Sequence, residues 1–432
     1  MARVAALLLL AAALAPTAAQ LPGQKPCVHG KPGWLADGAL RDGAMARAAA
    51  PPAAPSKWRL DLDLPPEERW LEIAAHFAPK AYIIHDYLAS SLNHLAWAMP
   101  LIEDVAAKLD AYKGFGDYAG EMRGLAKGLN LSLGDVVAGN LVYQLEGLGV
   151  NCSNWNNTGP TGQCANRTGV LSAEELERGL PPREAGPGAC TSIIAQTASG
   201  QVYHARNLDW NLPKQVRQFV LDVEFHRSGG ETVFVGTTLL GYTGLVTGLK
   251  RGGFTYSNDA RCQGGKLLDN MLAMLLTGAQ TPGQHARRVF EQAPDYASAI
   301  AMFEKTDLVD EVYYIVGGAK AGEGAVVTRD RIGTANVWRL EPKQSFFLLE
   351  TNYDHWESPP SSDDRRTPGE SHMRELGSDG ITVDGLLHVM TQWPTFNHHT
   401  DYTAIMSAQD GTNIGHVWMN TTGGGGGGGG GR

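Results

Sequence analysis

The chain carries five cysteines, Cys27, Cys152, Cys164, Cys190 and Cys262, and an odd number leaves one thiol over in an oxidising compartment. Cys152 and Cys164 share one hydrophilic loop and are natural disulfide partners. Cys27 with Cys262 follows by elimination, and Cys190 remains as the free thiol. It stands where a loop ending Gly186-Pro-Gly-Ala189 meets a strand-like run at 191–196. A cysteine there is well placed to become a chain terminus. Breaking the Ala189–Cys190 bond would give it a free α-amine with a pKa of roughly 8 in model peptides. That amine can take the thiol proton directly or through water, so nucleophile and base belong to one residue and no histidine is required. The same thiol, attacking the carbonyl before it, can open the bond.

A second strand-like run at 201–208, after the turn Ser199-Gly200, ends in Arg206-Asn-Leu-Asp209. Pairing the two runs as a hairpin brings Arg206 and Asp209 beside the start of the first. Asp209 can then hold the new ammonium, and Arg206 can lower the thiol pKa and orient a carbonyl. A surface Arg–Asp pair is the bland alternative for the same residues. No metal site is expected: His398-His399 lacks ligand spacing, and no HExxH or CxxC occurs. No cofactor is expected either, because Gly252-Gly253 and Gly264-Gly265 read as turns rather than a phosphate loop.

The elements that position these residues follow from periodicity. Trp58-Arg-Leu-Asp-Leu-Asp-Leu alternates as a strand does, and Pro65-Pro-Glu-Glu68 opens a helical stretch reaching about residue 148. Leu92, Leu95, Met99, Ile102, Val105 and Leu109 form a helical stripe, core by default and a lipid-facing surface as the alternative. After Cys190 the period becomes two, with strands expected at 219–226 and 232–240 around the hairpin glycines Gly229-Gly230, then at 245–248 and 254–258. Helices at 267–276 and 284–291 precede strands at 312–316, 324–329, 336–340 and 346–352, and a helix at 381–392 closes the pattern. Two groups of strands, separated and followed by helices, imply an α+β fold of stacked sheets with helices outside.

Composition sets the compartment. Arg3, an Ala/Leu run at 5–14 and the small residues Ala15-Pro-Thr-Ala-Ala19 read as a signal peptide, the run being too short to span a bilayer. The sequons at Asn130, Asn151, Asn156, Asn166 and Asn420 agree with passage through the secretory pathway, ending in a lysosome, a vacuole or outside the cell. A net charge of −9 gives no basic footprint for nucleic acid. The expected organisation is a signal peptide (1–19), a Pro/Ala-rich lead-in (20–56), a helical α-subunit (57–149), a glycosylated insertion (150–189), a catalytic β-subunit (190–422) and a poly-Gly tail (423–432).

Six ordered blocks, Cys190-Thr-Ser-Ile-Ile-Ala, His204-Ala-Arg-Asn-Leu-Asp209, Gly241-Tyr-Thr-Gly244, Tyr313-Tyr-Ile-Val-Gly-Gly318, Thr351-Asn-Tyr-Asp-His-Trp356 and Asp363-Asp-Arg-Arg-Thr367, resemble the acid ceramidase and N-acylethanolamine acid amidase family. Upstream, Gly120-Glu-Met-Arg-Gly124 and Asn130-Leu-Ser-Leu resemble its helical α-subunit. Asn352-Tyr-Asp-His-Trp356, Trp58 and Arg69-Trp70 lean toward the amidase branch.

The resemblance implies an N-terminal-nucleophile αββα sandwich and a precursor that cleaves itself into an α/β heterodimer. It implies hydrolysis of a lipid amide, with transient contact to a membrane or micelle. It makes Cys190 nucleophile and base, Arg206 and Asp209 its supports, Asn352 the oxyanion donor and Arg365 a positioning group, with Asn258, Asp259 and Tyr242 around the substrate. Three features depart from the family. Ala260 stands where a Glu is usual, Gln144 stands where the animal amidases have Glu, and the 150–189 insertion is longer than in animal members. The expected substrate is an N-acylethanolamine, with ceramide as the alternative and a non-catalytic lipid-binding glycoprotein as the second. A bile-salt or penicillin acylase relative is disfavoured by the helical α-part, and a papain-like peptidase by the absence of its cysteine signature and paired His.

Overall fold

The computed structural model describes residues 52–92, 99–112, 114–149, 189–210, 212–261, 273–360, 363–397 and 399–419. The expected signal peptide, both disulfides, the sequons at Asn151, Asn156, Asn166 and Asn420, most of the 150–189 insertion and the glycine tail lie outside these residues.

The N-terminal part contributes strand β1 (Ser56–Asp61) and helices α1 (Leu71–Phe77), α2 (Tyr82–Ser91), α3 (Met99–Ala107), α4 (Tyr118–Leu129) and α5 (Leu133–Gly149). Pro65 and Pro66 lie in a turn rather than a helix, and the first helix begins at Leu71. Of the apolar stripe, Leu92, Ile102, Val105 and Leu109 are buried in the main core and Met99 packs against it, so those members face protein. Leu95 falls outside the described residues.

After the insertion come β2 (Ala189–Gln196), β3 (Val202–Asp209), the short α6 (Lys214–Arg217), β4 (Val220–His226), β5 (Thr232–Leu239), β6 (Thr247–Lys250) and β7 (Phe254–Ala260). Then follow α7 (Pro282–Gln292), α8 (Tyr296–Lys305), β8 (Val312–Gly318), β9 (Gly324–Arg329), β10 (Thr334–Arg339), β11 (Phe347–Glu350), α9 (Arg366–Leu376), α10 (Val383–Met390), β12 (Thr400–Ser407) and β13 (Thr412–Val417). The expected helix at 267–276 lies mostly outside the described residues. The final hairpin β12–β13 corrects the expectation that a helix closes the fold.

Two sheets stack face to face. One has eight strands in the order β1-β4-β5-β6-β7-β8-β9-β10, the other five in the order β11-β2-β3-β12-β13. Helices α7 and α8 cover the outer face of the larger sheet, and α9 and α10 that of the smaller, which makes the αββα sandwich. Alternation along the strands builds these layers. Ile193 and Ala195 of β2 join Met373, Leu386 and Val389 under the outer helices. Ile194, between them, faces the other sheet with Tyr313 and Ile315. Cys190 and Ser192 share the inward parity of Ile194.

The N-terminal part is woven into the rest. Strand β1 pairs in parallel with β4, Ser56 opposite Leu221, and Ala53 bridges Val417 of β13. The lead-in expected to run loose to residue 56 is therefore ordered at its end.

Candidate functional site

Strands β2 and β3 form the expected hairpin, with Cys190 opposite Leu208, Ser192 opposite Arg206 and Ala189 opposite Asp209. The two residues of the Ala189–Cys190 bond thus sit at one end of the smaller sheet, on a strand buried between layers. Cys190 is a free, buried cysteine. Its Sγ accepts from Arg206 Nη2 at 3.2 Å, and its backbone N–H donates to Asn352 Oδ1 at 2.6 Å. Arg365 Nη1 donates to its carbonyl oxygen.

Arg206 is fully buried and its position is fixed from several sides. Nη1 donates to Thr247 Oγ1 at 3.1 Å and Tyr402 Oη at 3.0 Å, and Nη2 donates to the Asn258 carbonyl at 3.3 Å. Its guanidinium lies 5.4 Å from the centroid of the Tyr402 ring, and Asp259 Oδ1 is 3.7 Å from Nη2. Planar, delocalised guanidinium suits such a crowded set of acceptors better than ammonium.

Asn352 adopts a left-handed backbone with φ 72°, unusual outside glycine though least costly for Asn. The bend aims its amide back at Cys190. Oδ1 also accepts from Arg365 Nη2 at 3.0 Å, and Nδ2 donates to the Ala260 carbonyl at 3.0 Å. Arg365 is anchored by Asp363, 2.8 Å from both Nε and Nη2. Arg261 and Tyr313 hold the loop from below, both bonded to Asp354.

Burial dominates the electrostatics. It pushes the Cys190 thiol up to about 12, with Asp259 adding to the effect and Arg206 opposing it. While the preceding bond is intact, the residue holds a protonated thiol and an amide nitrogen that cannot act as base. Burial also raises Asp209 to about 6 against Arg365, and Asp259 to about 6 against Arg206. Asp209 Oδ2 accepts from Asn397 Nδ2 at 3.1 Å, while its Oδ1 has no hydrogen-bond partner among the described residues.

The structure therefore gathers Cys190, Arg206, Asp209, Asn352 and Arg365 as the sequence leads one to expect. Asn258 contributes its carbonyl to Arg206, Asp259 faces the same guanidinium at 3.7 Å, and Tyr242 packs on the apolar cluster that contains Cys190. Asn130 caps the end of α4, exposed on the surface. Sequence reasoning missed Tyr402, which belongs to the unexpected strand β12, and Thr247. It also missed Glu350, whose signal was its place two residues before Asn352. Among the described residues, no group of three or more His, Cys, Asp or Glu converges as a metal cluster.

Glu350 is buried opposite Ser192, its Oε1 accepting only the Thr351 backbone N–H at 3.0 Å among the described residues. Burial and the nearby Asp259 raise it to about 8, with Arg366 opposing. A raised carboxyl holds its proton in the folded state after the unfolded chain has lost it, so its stabilising contribution disappears as pH climbs through about 8. Between about pH 7.3 and 8 the unfolded histidines are largely neutral, and Asp209 and Asp259 are already ionised. Stability should fall there by at most about 1.4 kcal/mol per pH unit. Thermal melts across this range should show that slope in the wild type and a flatter one in Glu350→Gln; equal slopes would remove Glu350 as the cause.

Comparison with known proteins bears on the chain as a whole. A family model described as the beta subunit of N-acylethanolamine-hydrolyzing acid amidase matches residues 53–114, within the part preceding Cys190 that the sequence reading labels α. The chain is 33% identical to the N-acylethanolamine-hydrolyzing acid amidase of Rattus norvegicus, over 84% of this chain and 88% of that one. It is 34% identical to that of Oryctolagus cuniculus, over 85% and 89%. It is 28% identical to the acid ceramidase of Pan troglodytes, over 94% of each. A solved Caenorhabditis elegans ortholog of the acid amidase aligns with 51% of this chain and 93% of its own, at 31% identity and a TM-score of 0.46. The chain belongs to the family of N-acylethanolamine-hydrolyzing acid amidases and acid ceramidases, hydrolases of amide bonds, and lies nearer the acid amidases.

Proposed function

We propose that the chain is a secretory-pathway proenzyme that cuts itself before Cys190 and then hydrolyses N-acylethanolamines to fatty acid and ethanolamine. The observation that carries this reading is the double engagement of one residue. Arg206 touches the Cys190 sulfur at 3.2 Å while Asn352 receives its nitrogen at 2.6 Å, so both atoms of the future terminus are already held.

In the first reaction the thiol attacks the Ala189 carbonyl. Sulfur displaces nitrogen, and water then releases the Ala189 carboxylate and leaves Cys190 with its amine. In the second, that amine takes the thiol proton and the thiolate attacks the lipid amide carbonyl. Arg206 offsets the sulfur charge, Asp209 takes the ammonium through its unpartnered oxygen, and Asn352 serves the oxyanion by releasing the Ala260 carbonyl. The C–N bond breaks as the ammonium proton passes to the leaving amine. Water then cleaves the thioester, giving the fatty acid. The sequence features at 1–19 and the exposed Asn130 sequon support a lumenal destination, lysosomal or extracellular.

Two measurements test this. N-terminal sequencing of the larger mature fragment should begin Cys-Thr-Ser-Ile. Turnover of a palmitoyl ethanolamide should exceed that of a short-chain ceramide by about tenfold, the size of a 1.4 kcal/mol preference. The reverse ranking would make the protein a ceramidase.

A further inference from the structure

A continuous line of buried hydroxyls and one histidine crosses the gap between the sheets. Asp259 Oδ1 accepts from Ser192 Oγ at 2.9 Å, and Ser192 Oγ lies 2.8 Å from Ser257 Oγ. Ser257 Oγ lies 2.9 Å from His204 Nε2, and His204 Nδ1 lies 3.1 Å from Thr255 Oγ1. All five residues are at most 1% exposed. Their placement follows from strand periodicity. Thr255, Ser257 and Asp259 alternate along β7 and share one face. Opposite them, His204 precedes Arg206 by two on β3, and Ser192 follows Cys190 by two on β2.

From this geometry we infer that His204 is a positioning residue, which acts through Ser257 and Ser192 to orient Asp259 against Arg206 and so to fix Arg206 on the Cys190 sulfur. The inference rests on the reading of Cys190 as nucleophile.

Proton counting gives the chain a direction. Burial and Arg206 push His204 down to about 3, so its ring is neutral, with one donor and one acceptor. Ser192 gives its only proton to the Asp259 carboxylate, so its oxygen must accept from Ser257. Ser257 has then spent its own proton and must accept from the ring. With Asp259 ionised, the 2.8 Å contact between the serines carries a proton only when His204 bears hydrogen on Nε2, and Nδ1 then takes the single Thr255 hydroxyl proton in preference to the Gly317 carbonyl, which lies farther off at 3.3 Å. Every donor then points toward Asp259. Hydrogen bonding to the ionised form lowers a carboxyl pKa. The Ser192 bond does so here, opposing burial. The charged or titratable groups acting on Asp259 are Arg206 and Arg365, with Asp209, Glu350, Cys190 and Tyr143 on the other side of the balance.

The test compares three substitutions in the full-length, self-cleaved enzyme, with rates normalised to titratable Cys190. Gln places an amide donor near the Nε2 position, Asn near Nδ1, and Phe keeps only the ring. His204→Phe and His204→Asn should lose kcat by about ten- to a hundredfold with KM little changed, as expected for a misplaced catalytic group. Their acid limb should move to higher pH, because Asp259 loses its donor. His204→Gln should recover most of that loss. Equal losses in Gln and Phe, or a folded Phe variant with wild-type kcat, would overturn the inference. Should His204→Phe not fold, Ser257→Ala breaks the same chain with less change of volume and must give the same kcat loss and pH shift. Activity surviving in Cys190→Ala would instead overturn the nucleophile assignment, so the two failures are distinguishable.

Discussion

With alanine at position 190, the protein should accumulate as a single uncleaved chain and turn over no lipid amide. The wild type should resolve on a denaturing gel at acid pH into fragments of about 170 and 243 residues before glycans, corresponding to 20–189 and 190–432. Both losses would trace to one sulfur, which in the proposed mechanism opens the preceding bond and later carries the acyl group. Removal of a nucleophile of this kind costs about 10⁴-fold or more. The substitution is mild for the fold, since Cys190 is small and its backbone bonds to Asn352 and Arg365 do not need the thiol. A normal melting curve should therefore accompany the inert precursor. A Cys190→Ala chain that still split at this bond would end the case for self-cleavage. One that split nowhere yet hydrolysed substrate would end the case for the nucleophile.

Glu121→Ala should be the most damaging substitution to stability. Glu121 is fully buried on α4, where Oε1 accepts from Arg69 Nη1 at 2.9 Å and Arg287 Nη2 at 2.7 Å. Its Oε2 accepts from Trp70 Nε1 at 2.6 Å and from Arg287 Nη1. Arg287, also fully buried, stacks 4.8 Å from the Phe225 ring centroid and 5.1 Å from that of Tyr118. Removing one partner of a buried pair strands the other's charge and costs about 3–5 kcal/mol. That is a large share of the roughly 5–15 kcal/mol that holds a folded protein. A fall of about 10 °C in melting temperature is expected for a domain of this size. Glu121 lies before the proposed cut and Arg287 after it, so the pair also joins the two fragments. Gel filtration of the cleaved variant should show them separating at salt concentrations that leave the wild type together. A melting temperature within roughly 2 °C of wild type would show that the pair is dispensable.

The pairing of β1 with β4 explains why the fragments should otherwise stay associated. A strand from the N-terminal part completes the sheet of the catalytic part, and its backbone bonds do not depend on continuity of the chain at residue 190.

How much of this was legible beforehand differs from element to element. The β2–β3 hairpin was readable because both strands are local and separated by Ser199-Gly200. Its register then follows from the turn and places Arg206 and Asp209 near Cys190. The hairpin at Gly229-Gly230 was equally plain, since both glycines take positive φ, 103° and 83°. The helices Tyr296–Lys305 and Arg366–Leu376 were missed, and so was the β12–β13 hairpin. The strand β12 reads Thr-Asp-Tyr-Thr-Ala-Ile-Met-Ser, and it is buried on both faces, so it shows no alternation.

The sequence by itself determined the candidate nucleophile, the strand that carries it, the Arg–Asp support across the hairpin turn, and the family to which its motif blocks point. These depend on residue type and short spacing, which a linear chain displays. Tertiary structure alone decided that Tyr402 and Thr247 would hold Arg206, that Asn352 would bend back onto the Cys190 nitrogen, that Glu350 would lie buried near Asp259, and that a histidine would be wired to Asp259 through two serines. Those contacts join residues 41 to 196 positions apart, across sheets whose stacking is set by burial of both inner faces. No local pattern encodes such a meeting, because the hydrophobic effect that brings the faces together is indifferent to which polar groups it traps between them.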